Sequence, residues 1–167
     1  MFSDLQSFFQ ATQTSVASFN AWVDQCTPAA KADHICYKCS SASEFVQLRA
    51  LFESSSTFIY QSIISNRRIA IVKFAQPIAT RLGDIWFLEL SDQKPDNSQV
   101  SSFDHIEIYP TSGSMDDFAA TLIAQGVTFE KVIRPHHTTY DAFIDGNFKV
   151  RLEGEALIEK IKLTEMN

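Results

Sequence analysis

At 167 residues, with 45 % hydrophobic side chains and 14 phenylalanines, the chain can bury a core and is excluded from the disordered class; it needs no disulfide staple. A formal charge of −6 without any basic run excludes nucleic acid and anionic membrane surfaces as partners, and three cysteines make no paired disulfide framework. The N-terminus has no basic stretch and carries Asp4, so it does not read as a signal peptide, and no apolar run is long enough to span a bilayer. The expected location is the cytoplasm.

The first predicted element is a helix over 3–25. Ser3 and Gln6 offer a capping box, Leu5, Phe8, Phe9, Thr12, Val16, Phe19 and Val23 recur near the helical period, and Thr27-Pro28 ends it. A strand over 32–39 follows, then a helix over 43–54 with Phe45, Leu48, Leu51 and Phe52 on one face. Residues 57–64 and 68–75 are β-branched and aromatic and meet near Asn66-Arg67 as a hairpin; after a turn at Arg81-Leu82-Gly83, residues 84–90 form a fourth strand. The polar stretch 91–102 is a linker. The order then repeats: a strand over 103–109, a helix over 115–125 ended by Gly126, a strand over 127–133, and strands 139–145 and 148–153 joined through Asp145-Gly146-Asn147, with a closing helix near 155–164.

The repetition extends to individual residues. Asp33-His34-Ile35 recurs as Asp104-His105-Ile106, 71 positions later (104 − 33), and a Ser-x-x-acid helix start at Ser41–Glu44 recurs at Ser114–Asp117. The expected fold is therefore α+β: two tandem βαβββ modules in a cupped mixed sheet, with an extra helix at each end. The expected divisions are 1–30 for the N-terminal helix, 31–92 for the first module, 93–102 for the linker and 103–167 for the second module with the C-terminal helix.

Strand parity selects the side chains that converge. His34, Cys36 and Lys38 share one face of the first strand; His105, Glu107 and Tyr109 share one face of the fifth. Glu89 and Glu153 stand on the last strand of each module. Two imidazoles and two carboxylates suit a divalent metal such as Zn, Ni, Fe, Mn or Co, so His34, His105, Glu89 and Glu153 are the expected ligands. Glu107 is an alternative carboxylate or a base. Lys38 and Arg151 either hold an anionic substrate or pair with the carboxylates, and His137 is a candidate at the site mouth. Alternation sends the thiols of Cys36 and Cys39 to opposite faces, which makes them packing groups and not a redox pair. It also places Asp33 and Asp104 away from the metal, with a strand-start hydrogen bond as their expected role.

This order of elements with paired His and Glu resembles the vicinal oxygen chelate superfamily, which includes glyoxalase I, extradiol dioxygenases and bleomycin-resistance proteins. The stretches 32–39, 86–90, 103–110 and 145–161 are similar to the YecM-like family of bacterial proteins within it. The resemblance implies a metal that chelates neighbouring oxygens of a small substrate, with Glu153, Glu89 or Glu107 as catalytic carboxylates. Isomerase, lyase or oxygenase chemistry would follow. A metal-free ligand-binding cup and a non-catalytic metal-binding protein are the alternatives. Both modules lie in one chain, so a monomer suffices, and a homodimer is equally compatible.

Overall fold

The computed structural model describes residues 2–134 and 137–165. Helix α1 (Leu5–Cys26) is capped by Asp4 and not by Ser3: the Asp4 carboxylate accepts the Ser7 amide at 2.7 Å, and Ser7 Oγ accepts the Asp4 amide at 3.2 Å. A carboxylate satisfies a free amide and also complements the positive end of the helix dipole, so it outcompetes the neighbouring hydroxyl. Thr27, in the left-handed region at φ 40°, ends the helix.

The remaining elements are β1 (Ala30–Lys38), α2 (Ala42–Glu53), β2 (Ile59–Ile64), β3 (Arg67–Thr80), β4 (Gly83–Ser91), β5 (Ser102–Pro110), α3 (Met115–Ala124), β6 (Glu130–Ile133), β7 (Thr138–Asp145), β8 (Phe148–Leu152) and α4 (Leu157–Glu165). Ser41 and Ser114 cap α2 and α3, each accepting the amide of the acid three residues on. Ser65 and Asn66, at φ 52° and 60°, form the tight turn between β2 and β3. Two expected strands change length. β3 runs on to Thr80 because its ladder with β4 breaks between Lys73 and Ile78, around Pro77, and then resumes. β6 holds only four residues at the sheet edge.

The strands form one mixed sheet in the order β2-β3-β4-β1-β5-β8-β7-β6. Within each module the last strand lies parallel to the first, β4 beside β1 and β8 beside β5, and antiparallel pairing of β1 with β5 joins the modules. This is the α+β architecture expected from the repeat.

Two faces follow from the alternation. Ile35, Tyr37, Leu88, Leu90, Ile106 and Ile108 pack against α1, α2 and α3. On the opposite face, Leu157 and Ile161 of α4 pack on Ile69, Ile71 and Phe87. The C-terminal helix thus leaves the second module and docks on strands of the first. Phe8 anchors α1: it is fully buried, with ring contacts to Phe2, Phe9, Tyr37, Phe52 and Phe103 at centroid distances of 5.1–6.1 Å. Replacing Phe8 with Ala is expected to cost about 3–5 kcal/mol, read as a lowered denaturation midpoint in urea.

Candidate metal centre

The β1–β5 ladder slips twice. Ala32 faces Ile108 and His34 faces Glu107, so Asp33 has no cross-strand partner; Cys36 faces His105 and Tyr37 faces Phe103, so Asp104 has none. Each aspartate of the repeat is the extra residue of a β-bulge. A bulge re-aims side chains and suspends alternation. Asp33 Oδ2 therefore lies 2.8 Å from His34 Nδ1, and Asp104 Oδ2 lies 2.8 Å from His105 Nδ1. The hydrogen-bonding role expected of both aspartates is thus directed at the adjacent imidazole.

A carboxylate on Nδ1 holds the proton there and leaves Nε2 as the free donor atom. Both Nε2 atoms are buried and make no hydrogen bond. The two rings sit 5.6 Å apart by centroids at 72°. His34 Nε2 lies 3.4 Å from Glu89 Oε2. Ligand atoms of His34, Glu89 and His105 all fall within 4.8 Å of one another, close enough to share one ion. Orphaned buried nitrogens beside a carboxylate are the donor set a divalent transition metal requires.

The 71-residue offset shows how the halves differ. On β4, Glu89 pairs beside Cys36; on β8, Arg151 pairs beside Glu107, the counterpart of Cys36 (36 + 71). The counterpart of Glu89 is thus Arg151, not Glu153 as parity on β8 had implied. β8 ends at Leu152, and Glu153 lies two residues beyond the position that Glu89 occupies in its module. Its carboxylate accepts Lys160 Nζ of α4 at 2.7 Å, and among the described residues it joins no group of close ligand atoms.

The other expected residues sit in this frame. Lys38 is hydrogen-bonded to Asp104, which Lys149 also approaches at 3.3 Å. Arg151 makes two bonds of 2.8 Å to Asp141, its β7 neighbour. Both cations therefore have carboxylate partners within the protein. Glu107 is buried, with Oε1 3.8 Å from His34 Nδ1. His137 is exposed, and its Nε2 lies 3.9 Å from Glu153 Oε1. Asp33 also accepts the Leu157 amide at 3.0 Å, so the start of α4 is tied to the first bulge. Cys39 is in the core, but Cys36 faces the site: its thiol donates to Glu89 Oε1 at 3.4 Å. Sequence reasoning passed over Cys36, Asp33 and Asp104. The signal was the repeat itself, which aligns Cys36 with Glu107 and carries an Asp beside each His.

The electrostatics are divided between the modules. Burial works against a charge on His34, but Glu107, Asp33 and Glu89 together hold its pKa well above the usual range. His105 is pushed down to about 4 by burial and by the charge of Arg151. Burial raises Glu107 to about 8. Burial opposes ionisation of Glu89, yet the His34 contact and the nearby imidazoles draw its carboxyl well below the usual range.

Comparison with known proteins follows the same lines. A model of the YecM protein family matches residues 1–164. The chain belongs to the YecM family. No curated protein matches it by sequence. Among solved structures it is similar to the structural-genomics protein EC4020, at 18 % identity and a TM-score of 0.77, covering 98 % of this chain and 93 % of that one. It is more distantly similar to a methylmalonyl-CoA epimerase in complex with methylmalonyl-CoA and NH4+, at 16 % identity and a TM-score of 0.48 over 78 % of this chain and 97 % of that one. A Streptomyces coelicolor methylmalonyl-CoA epimerase variant bound to 2-nitronate-propionyl-CoA gives 15 %, 0.46, 73 % and 94 % for the same quantities. This YecM chain has no helix, among the described residues, long and apolar enough to cross a membrane.

The depressed His105 gives a signed expectation for the metal-free protein. With a folded pKa of about 4 against 6.5, the unfolded chain binds the extra proton first, so His105 costs stability increasingly as pH falls from 6.5 to about 4. Denaturation of the parent and of His105→Asn across that window should show the parent losing ground steadily toward acid; parallel curves would contradict the depression.

Proposed function

We propose that the protein binds a divalent transition-metal ion through His34, Glu89 and His105 and acts on a small molecule with neighbouring oxygens. The observation that carries this reading is the pair of buried Nε2 atoms without a hydrogen bond, that of His34 beside Glu89, with each ring bonded at Nδ1 by an adjacent aspartate. In a fold without such a ligand, the buried Nε2 of His105 would be an uncompensated cost. Two imidazoles and one carboxylate leave coordination positions for substrate, and the ion would supply Lewis-acid chemistry there.

The chain's own groups give the site its proton chemistry. Glu107, raised to about 8, keeps its proton at neutral pH while lying on the site face beside His34. A carboxyl with its pKa near working pH suits general acid–base transfer, which favours an isomerase or lyase over a simple binder. Glu153 lies close enough to help raise Glu107 and is held by Lys160, so we assign it a supporting electrostatic role. Lys38 and Arg151 keep Asp104 and Asp141 ionised in this reading and touch substrate only through their remaining donors.

A metal-free ligand-binding cup has one observation in its favour: His34, as a cation, is already matched by the carboxylates of Asp33 and Glu89. Elemental analysis of the purified, tag-free protein separates the readings. The expected result is near-stoichiometric Zn, Ni, Fe, Mn or Co in the parent, lost in His34→Ala and in His105→Ala. Folded parent that takes up none of these ions on reconstitution would leave only the cup.

Two further outcomes follow. Asp33→Asn, which weakens the hold on His34 Nδ1, should lower metal affinity about 10–100-fold in a chelator competition without unfolding the chain. Because His34 must give up its proton to bind a cation, apparent affinity should climb with pH through the neutral range; a flat profile would contradict ligation by His34.

A further inference from the structure

We propose that Cys36 is a fourth donor to the same ion, bound as a thiolate; this rests on the metal reading given above. Cys36 is flanked by Glu89 on β4 and by His105 on β5, so it stands between two of the three assigned ligands on one face of the sheet. Its Sγ lies 3.4 Å from Glu89 Oε1 and within 4.8 Å of a ligand atom of His105. Cys36 is 1 % exposed, and the Nε2 of His105 is likewise buried and makes no hydrogen bond. The other cysteines serve differently: Cys39 lies in the apolar core, and Cys26 donates to the Trp22 carbonyl within α1.

The broken symmetry of the modules points the same way. One half of the site presents Glu89, Cys36 and His105 side by side across three strands; the equivalent half presents Arg151, Glu107 and His34. A guanidinium repels a cation, so the ion is drawn toward the half that holds the thiol. Two nitrogens, one oxygen and one sulfur favour zinc, cobalt or iron and disfavour magnesium, calcium and manganese. As the sulfur–metal bond forms, the S–H bond breaks and its proton passes to solvent; nothing is oxidised or reduced.

Cobalt(II) is the probe. The full chain, stripped with a chelator and titrated with Co(II), should develop visible ligand-field bands together with a near-ultraviolet thiolate-to-cobalt charge-transfer band. Cys36→Ser should abolish the near-ultraviolet band and keep the visible ones, while Cys39→Ser keeps both. Visible bands without charge transfer in the parent, or charge transfer that survives Cys36→Ser, would overturn the thiolate proposal and leave the His34/Glu89/His105 site standing. No cobalt spectrum in the folded parent would overturn both readings. If Cys36→Ser does not fold, the double variant Cys26→Ser/Cys39→Ser, which keeps Cys36 as the sole cysteine, decides: a retained band assigns the sulfur, and a lost band refutes the assignment.

Discussion

The antiparallel pairing of β1 with β5 is the interaction on which the rest of the molecule depends. It joins the two modules into one sheet and places both histidines on its two central strands. Its two slips matter as much as its hydrogen bonds. Without the bulges, strict alternation would send Asp33 and Asp104 to the helical face, where a carboxylate among apolar side chains has no partner. With them, each aspartate bonds the imidazole beside it and fixes which ring nitrogen stays free. A defect in the ladder, made twice, converts two core histidines into two potential ligands.

Duplication gives the site its two halves, and divergence at a few positions gives them different chemistry. Glu89 and Arg151 occupy matching places, as do Cys36 and Glu107. One half collects groups able to hold a cation. The other carries a guanidinium locked onto Asp141 and a carboxyl that burial keeps protonated. The same contrast separates the imidazoles: carboxylates surround His34 and raise it, while Arg151 helps to depress His105. Low polarity at the sheet centre magnifies each of these neighbours, since a charge there has little water to screen it.

The two terminal helices take opposite faces of the sheet and tie it to the site in different ways. α1 seals the apolar face through Phe8 and the aromatic side chains around it. α4 lies over the other face, bonded to Asp33 at its first turn and to Glu153 through Lys160. It therefore touches both modules and a residue that orients a candidate ligand, so its docking and the geometry of His34 are coupled.

The sequence by itself determined the two-module α+β plan, because the repeat, the strand and helix periodicities and the serine caps are local properties that one chain displays in order. It also singled out His34, His105 and Glu89, since a duplicated His and a carboxylate in an apolar strand are visible without coordinates. The tertiary structure decided what local alternation cannot. The bulges at Asp33 and Asp104 exist only in the pairing of two strands distant in sequence, and they set each aspartate against the imidazole beside it. Register between β5 and β8 decided that Arg151, not Glu153, stands opposite Glu89 in the pseudo-symmetric plan. Cys36 looked like packing because parity records only its face; what it faces depends on Glu89 and His105, brought alongside by two different strands. Periodicity specifies the side of a strand on which a residue sits, whereas register between strands specifies its neighbours, and a metal site is made of neighbours.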